Sequence, residues 1–135
     1  MRYTDAPHQE LPPNFLDLSL SEQIDLYLEH YLPQLVQWLQ EWLEVSETGL
    51  FKGKILFTRY EDLHDNPRQF CQKILQFYEI DPHYFTFIER QPHQGRLHFR
   101  KAQIDEWQEV YTHAQLEKVK KIVPQSLLER FDWSA

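Results

Sequence analysis

The sequence predicts an α/β domain that is mostly helical, with one short buried strand at about residues 54–60. Three observations predict it. Ser19 with Glu22, and Thr112 with Gln115, form two capping-box signatures that open helices. Asn66-Pro67 sets a favoured cap residue before a proline suited to the first helical position. Ile55-Leu56-Phe57-Thr58 is a run of strand formers without helical period, as in strands covered on both faces of a parallel sheet.

In chain order, residues 1–18 form an irregular lead, because Pro7, Pro12 and Pro13 oppose a helix. Residues 19–135 form the rest of the domain. Ile24, Leu28 and Tyr31 recur at helical spacing, so a helix is expected over 20–31. Pro33 interrupts that pattern and starts a second helix to about residue 45, with Leu35, Trp38, Leu39, Trp42 and Leu43 on an apolar face. Trp38 and Trp42 are read as core packing. Ser46 to Lys54 is a loop, and the strand follows. A lone strand cannot satisfy its own backbone groups, so its neighbours are expected from further sequence or from a partner chain completing the sheet. After Asn66-Pro67, Phe70, Ile74, Phe77 and Tyr78 share one helical face, with Cys71 inside the helix as a buried, inert thiol. Asp81-Pro82 predicts a short helix to about Ile88, and 90–101 is irregular. Leu116, Val119 and Ile122 face inward on the Thr112-capped helix. Pro124 opens a last turn carrying Leu127, Leu128 and Phe131.

Composition excludes several functions. The 135 residues carry a net charge of −7, which opposes general binding to nucleic acid. With 15% aromatic residues the chain can bury a core and is no disordered tail. A single cysteine allows neither an internal disulfide nor a cysteine-based zinc site. Nothing approaches the ~20 apolar residues of a membrane span, and the first residues lack a signal peptide's apolar stretch. A cytoplasmic setting, without membrane or nucleic-acid partners, is therefore expected. The three glycines make no G-x-G-x-x-G fingerprint. Gly49-Leu50-Phe51-Lys52-Gly53-Lys54 has three residues between its glycines where a Walker loop needs four, and Ile55 follows the lysine. The seven histidines show no metal-site spacing, so no metal is expected. The pairs Glu61/Asp62 and Asp105/Glu106 are adjacent in sequence, a spacing that specifies no acid–base pair, and no catalytic residue is assigned.

Two segments could carry chemistry. Residues 90–101 hold Arg90, Arg96, Arg100 and Lys101 and no acid. A small basic island on an acidic chain suits a discrete phosphate or sulfate ester, or is simply a solvated loop. Arg59-Tyr60-Glu61-Asp62-Leu63 ends the expected strand, where ligands of α/β sheets collect. It reads either as a ligand site, with Tyr60 stacking on a base, or as a turn whose acids bond nearby amides.

Both segments resemble PAPS-dependent sulfotransferases. Residues 54–63, followed by Asn66-Pro67 and an amphipathic helix, are similar to that family's R-Y-E-D-L…P segment. Phe99-Arg100-Lys101-Ala102…Glu106-Trp107 resembles its F-R-K-G…D-W segment, and a Thr-capped helix follows in both. The likeness covers about residues 15–133 and implies the C-terminal part of a P-loop-type sulfotransferase domain. It further implies that Arg100 and Lys101 bind the 3′-phosphate of PAPS, that the backbone N–H at Ala102, where the family usually has Gly, joins them, and that Tyr60 lies beside the adenine. The family's P-K-S/T-G-T-type loop for the 5′-phosphosulfate, and its catalytic base, have no match in these residues. The expectation is an intact enzyme that moves a sulfuryl group to a hydroxyl or amine of a small-molecule acceptor, while this chain alone is inactive, as a truncated or split product or a shortened relative. A non-catalytic helical interaction module is the alternative.

Overall fold

The computed structural model describes residues 12–49, 52–87, 104 and 106–133. Among them the regular structure is helical, and no strand is formed. The described residues fall into two compact units, one up to Lys54 together with the chain from Trp107, the other from Ile55 to Glu106.

The first unit starts with a 3-10 turn, Phe15–Asp17, and then α1, Leu20–Leu26. The Ser19–Glu22 capping box forms, with the Ser19 amide donating to the Glu22 carboxylate at 2.9 Å. Pro33 does not break the helix as expected. The chain runs on through a π-helical turn, Tyr27–Tyr31, into α2, Leu32–Thr48. Proline has no N–H for the carbonyl four residues back, and its ring collides with that carbonyl in a regular helix. The turn therefore widens, and the Leu32 amide donates to the Tyr27 carbonyl, five residues back. Gly49 then ends α2 in the left-handed region, at φ 65°.

Later in the sequence, α5 (Trp107–Val110), α6 (His113–Ile122) and α7 (Gln125–Phe131) complete the unit. Its buried apolar residues are Ile24 and Leu28 from the first helical run, with Val123, Leu127 and Phe131 from the last. Full burial of such side chains stabilises by about 1.5–3 kcal/mol each. Gln115 lies among them, 3% exposed. Its Oε1 accepts from the Thr112 amide at 2.9 Å, closing the second capping box. Its Nε2 donates across to the Ser21 carbonyl at 3.1 Å and to Asp25 at 3.0 Å. One amide thus caps α6 and ties it to α1. Lys118 adds an outer ion pair with Glu29 at 3.0 Å. Trp38 and Trp42 meet edge to face with centroids 6.4 Å apart, but Trp38 is exposed, which corrects the expectation of a core pair.

In the second unit the expected strand is absent. Residues 54–59 have no regular structure, and Tyr60 already begins α3, Tyr60–Asp65. Strand-forming side chains favour an extended backbone, which Arg59 adopts at φ −109°, ψ 150°, but a strand needs a ladder as well, and none forms among the described residues. Asn66 accepts from the Gln69 amide at 3.0 Å and starts α4, Pro67–Phe77, at the foretold proline. Leu75 is the buried apolar residue of this helix, while Cys71 is half-buried rather than fully enclosed.

The end of α4 is a Schellman turn. The Ile80 amide donates to the Leu75 carbonyl at 2.9 Å, and the Glu79 amide to the Gln76 carbonyl at 3.1 Å. Glu79 fills the left-handed position, φ 57°, where glycine is usual. The turn redirects the chain, so Tyr78 is 65% exposed and not on the inward face that its spacing suggested. The helix expected up to about Ile88 is only a 3-10 turn, Pro82–Tyr84, with 85–87 irregular and Ile88 outside the described residues.

Candidate functional site

The segment Arg59 to Leu63 joins an extended backbone to the first turn of α3. Asp62 is the third residue of that helix and reaches back to its start. It accepts a backbone hydrogen bond from Arg59 and receives the Arg59 guanidinium, with Nε at 3.1 Å. The side chains are 27% and 29% exposed, and Lys73 Nζ on α4 stands 3.9 Å from the other carboxylate oxygen. The Arg59 side chain, more than any other cause, holds the Asp62 carboxyl below its ordinary range. Glu61 and Asp62 also sit in the first turn, where the helix dipole favours anions. The Arg59 guanidinium is therefore committed to shaping the turn. Of the two acids in this segment, Asp62 bonds its neighbour Arg59, chiefly through the guanidinium.

That clasp fixes the backbone on which Tyr60 stands. Tyr60 is the first residue of α3 and is 54% exposed. Its ring centroid lies 6.4 Å from that of His64, at 43°. His64 in turn approaches the Asp65 carboxylate at 3.1 Å. An exposed phenol ring on a braced turn offers a face on which a planar group can stack.

Arg100, Lys101 and Ala102, with Arg90 and Arg96, lie outside the described residues. Tyr60 is thus the member of the expected cofactor set that has a described position, and His93 and His98 are outside as well.

Sequence reasoning missed a groove between α3 and α4. It has a volume of about 530 Å³ and is lined by Asp62, Asp65, Gln69, Phe70, Lys73 and Gln76, among others. Gln69, Gln72 and Gln76 recur at helical spacing on α4, and that period was the available signal. Among the described residues no group of three His, Cys, Asp or Glu side chains is placed to hold a metal ion. No described helix is long and apolar enough to cross a membrane.

A family model described as "Sulfotransferase domain" matches residues 6–131. No curated protein and no solved structure matches the chain.

Proposed function

The chain belongs to the sulfotransferase domain family, and from that premise we propose that it carries the nucleotide-holding part of a PAPS-dependent transferase. PAPS, when bound, supplies a sulfuryl group that passes to a hydroxyl or amine of a small-molecule acceptor and leaves 3′,5′-ADP. The residues of this chain act on the other end of the nucleotide. Arg100 offers two parallel N–H donors to the 3′-phosphate, and Lys101 adds a compact positive charge. The Ala102 amide donates beside them, as the glycine there does in the family. Tyr60 stacks on the adenine, and Arg59 and Asp62 keep its backbone in place.

The observation that carries this reading is the family match over residues 6–131. The four cations in 90–101, set in a chain of net −7, support it independently of any family. The family's loop for the 5′-phosphosulfate has no counterpart in these 135 residues. Stabilising the moving sulfuryl group needs donors on its own oxygens. We therefore propose that the chain by itself binds nucleotide without turnover. The α/β character belongs to the complete domain, in which a further polypeptide segment pairs with residues 55–59.

Thermal melting tests the reading. 3′,5′-ADP is expected to raise the melting temperature while 5′-AMP leaves it unchanged, and Lys101→Ala abolishes the effect. Equal protection by the two nucleotides, or protection that survives Arg100→Ala with Lys101→Ala, overturns it.

A further inference from the structure

Helix α3 is short but held at both ends. The Arg59 guanidinium grips Asp62 at its start, with Nε at 3.1 Å, and at its end the Asn66 amide donates to the Asp62 carbonyl at 3.2 Å. The Asn66 side chain then caps α4. On this frame Tyr60 and His64 stand four residues apart, the spacing that brings two side chains to one face of a helix. Their ring centroids are 6.4 Å apart, with the planes inclined at 43°. Both rings are open to solvent, Tyr60 at 54% and the His64 side chain at 42%. A held frame with two exposed rings side by side lowers the ordering cost of receiving a planar ligand.

The second ring also has a defined polarity. His64 Nδ1 lies 3.1 Å from the Asp65 carboxylate. An ionised carboxylate only accepts, so Nδ1 carries the proton, and in the neutral ring Nε2 is left as an acceptor. A surface histidine is ordinary by itself. This one has its tautomer set by a neighbour and stands beside the ring to which the nucleotide reading gives the base. A purine is larger than a phenol ring, so a purine stacked on Tyr60 reaches past it, and the next ring on that face of α3 is His64. Adenine carries an exocyclic amino group that donates. Hypoxanthine carries a carbonyl oxygen at the same place, which accepts. An imidazole acceptor beside the stack therefore tells the two bases apart.

We propose that His64 reads the base of the nucleotide: with the purine stacked on Tyr60, His64 Nε2 accepts from the adenine amino group, and Asp65 holds the ring in the accepting tautomer. The assignment rests on the proposed place of the adenine beside Tyr60. It adds a choice among purines, which phosphate contacts from Arg100 and Lys101 cannot supply.

The test measures the affinity of the full chain for 3′,5′-ADP and for its hypoxanthine counterpart, 3′,5′-IDP, at about pH 8, where imidazole is neutral. The His64 ring nitrogens are followed by NMR in the same titrations. The unaltered chain is expected to prefer 3′,5′-ADP about fivefold, the worth of one partly exposed hydrogen bond. The Nε2 resonance should move as 3′,5′-ADP binds. His64→Phe keeps a ring at this exposed position but has no acceptor. It should bring the two nucleotides to equal affinity, with the helical spectrum unchanged. Equal affinities in the unaltered chain, a preference that persists in His64→Phe, or an Nε2 resonance unmoved by bound 3′,5′-ADP would overturn this inference alone. If the unaltered chain binds neither nucleotide, the place of the adenine beside Tyr60 falls, and the assignment of His64 falls with it.

Discussion

Removing the Gln115 amide should destabilise the first unit more than any surface polar change there. Its four contacts serve two helices. With Gln115→Ala the Thr112 amide loses its acceptor at 2.9 Å, a capping loss of about 0.5–1 kcal/mol. The donations to the Ser21 carbonyl, the Ser21 hydroxyl and the Asp25 carboxylate, at 3.1, 3.2 and 3.0 Å, vanish with it. The bond to a charged acceptor is worth about 1.5–3 kcal/mol and a neutral bond about 1 kcal/mol, but Ser21 and Asp25 are exposed and regain water. The net is about 2–3 kcal/mol, or a fall in Tm of about 6–12 °C for a chain of this size. Circular dichroism melts measure it. Gln125→Ala serves as the control, because its 3.1 Å bond to Glu129 is exposed and should be worth almost nothing. Gln115→Glu sharpens the case. The carboxylate still accepts from Thr112 but can no longer donate, and it faces Asp25. Like charge and burial raise the folded-state pKa of the introduced carboxyl above its unfolded value. Its penalty is therefore complete above that raised value and fades as pH falls through it. A fall of less than about 2 °C for Gln115→Ala, or the same fall for Gln125→Ala, would refute the reasoning.

The other expectations concern the second unit. Glu79 holds a left-handed φ of 57°, so Glu79→Gly should remove strain and gain about 0.5–1 kcal/mol, raising the melting temperature by a few degrees; a loss would show that the glutamate side chain does more than occupy the turn. Arg59 holds the Asp62 carboxyl below its ordinary value of 3.8, so its contribution is fully present above 3.8 and is lost as pH falls through the lower folded value. An NMR titration of that carboxyl should therefore give a midpoint under 3.8 that rises with Arg59→Ala, and a midpoint at or above 3.8 contradicts the clasp.

Much of the helical frame was legible because its signals are local. Ser19, Asn66 and Thr112 each bond an amide three residues on, and a spacing of three is visible in a sequence. What stayed hidden depends on distant partners or on chain direction. Gln115 reads as a capping residue, but its second task joins residues 94 positions apart. Ile55 to Thr58 have strand-forming side chains, yet strand identity is conferred by a ladder, which local sequence cannot supply. Tyr78 continues the period of Phe70, Ile74 and Phe77, but the period has no meaning once a left-handed residue turns the chain. The π turn is a similar case: Pro33 was visible, and widening by one residue let the helix absorb it. For the site, the motifs around Tyr60 and Arg100 could be read, whereas the pairing of Arg59 with Asp62, which turns a presumed strand end into a helix start, could not.

The central claim is that Tyr60, Arg100 and Lys101 serve one nucleotide. Backbone amide mapping on titration with 3′,5′-ADP tests it most directly. The account predicts that Tyr60 and residues 100–102 shift together with a single dissociation constant, and that 5′-AMP leaves 100–102 still. Shifts confined to one of the two segments, or an identical response to both nucleotides, would contradict it.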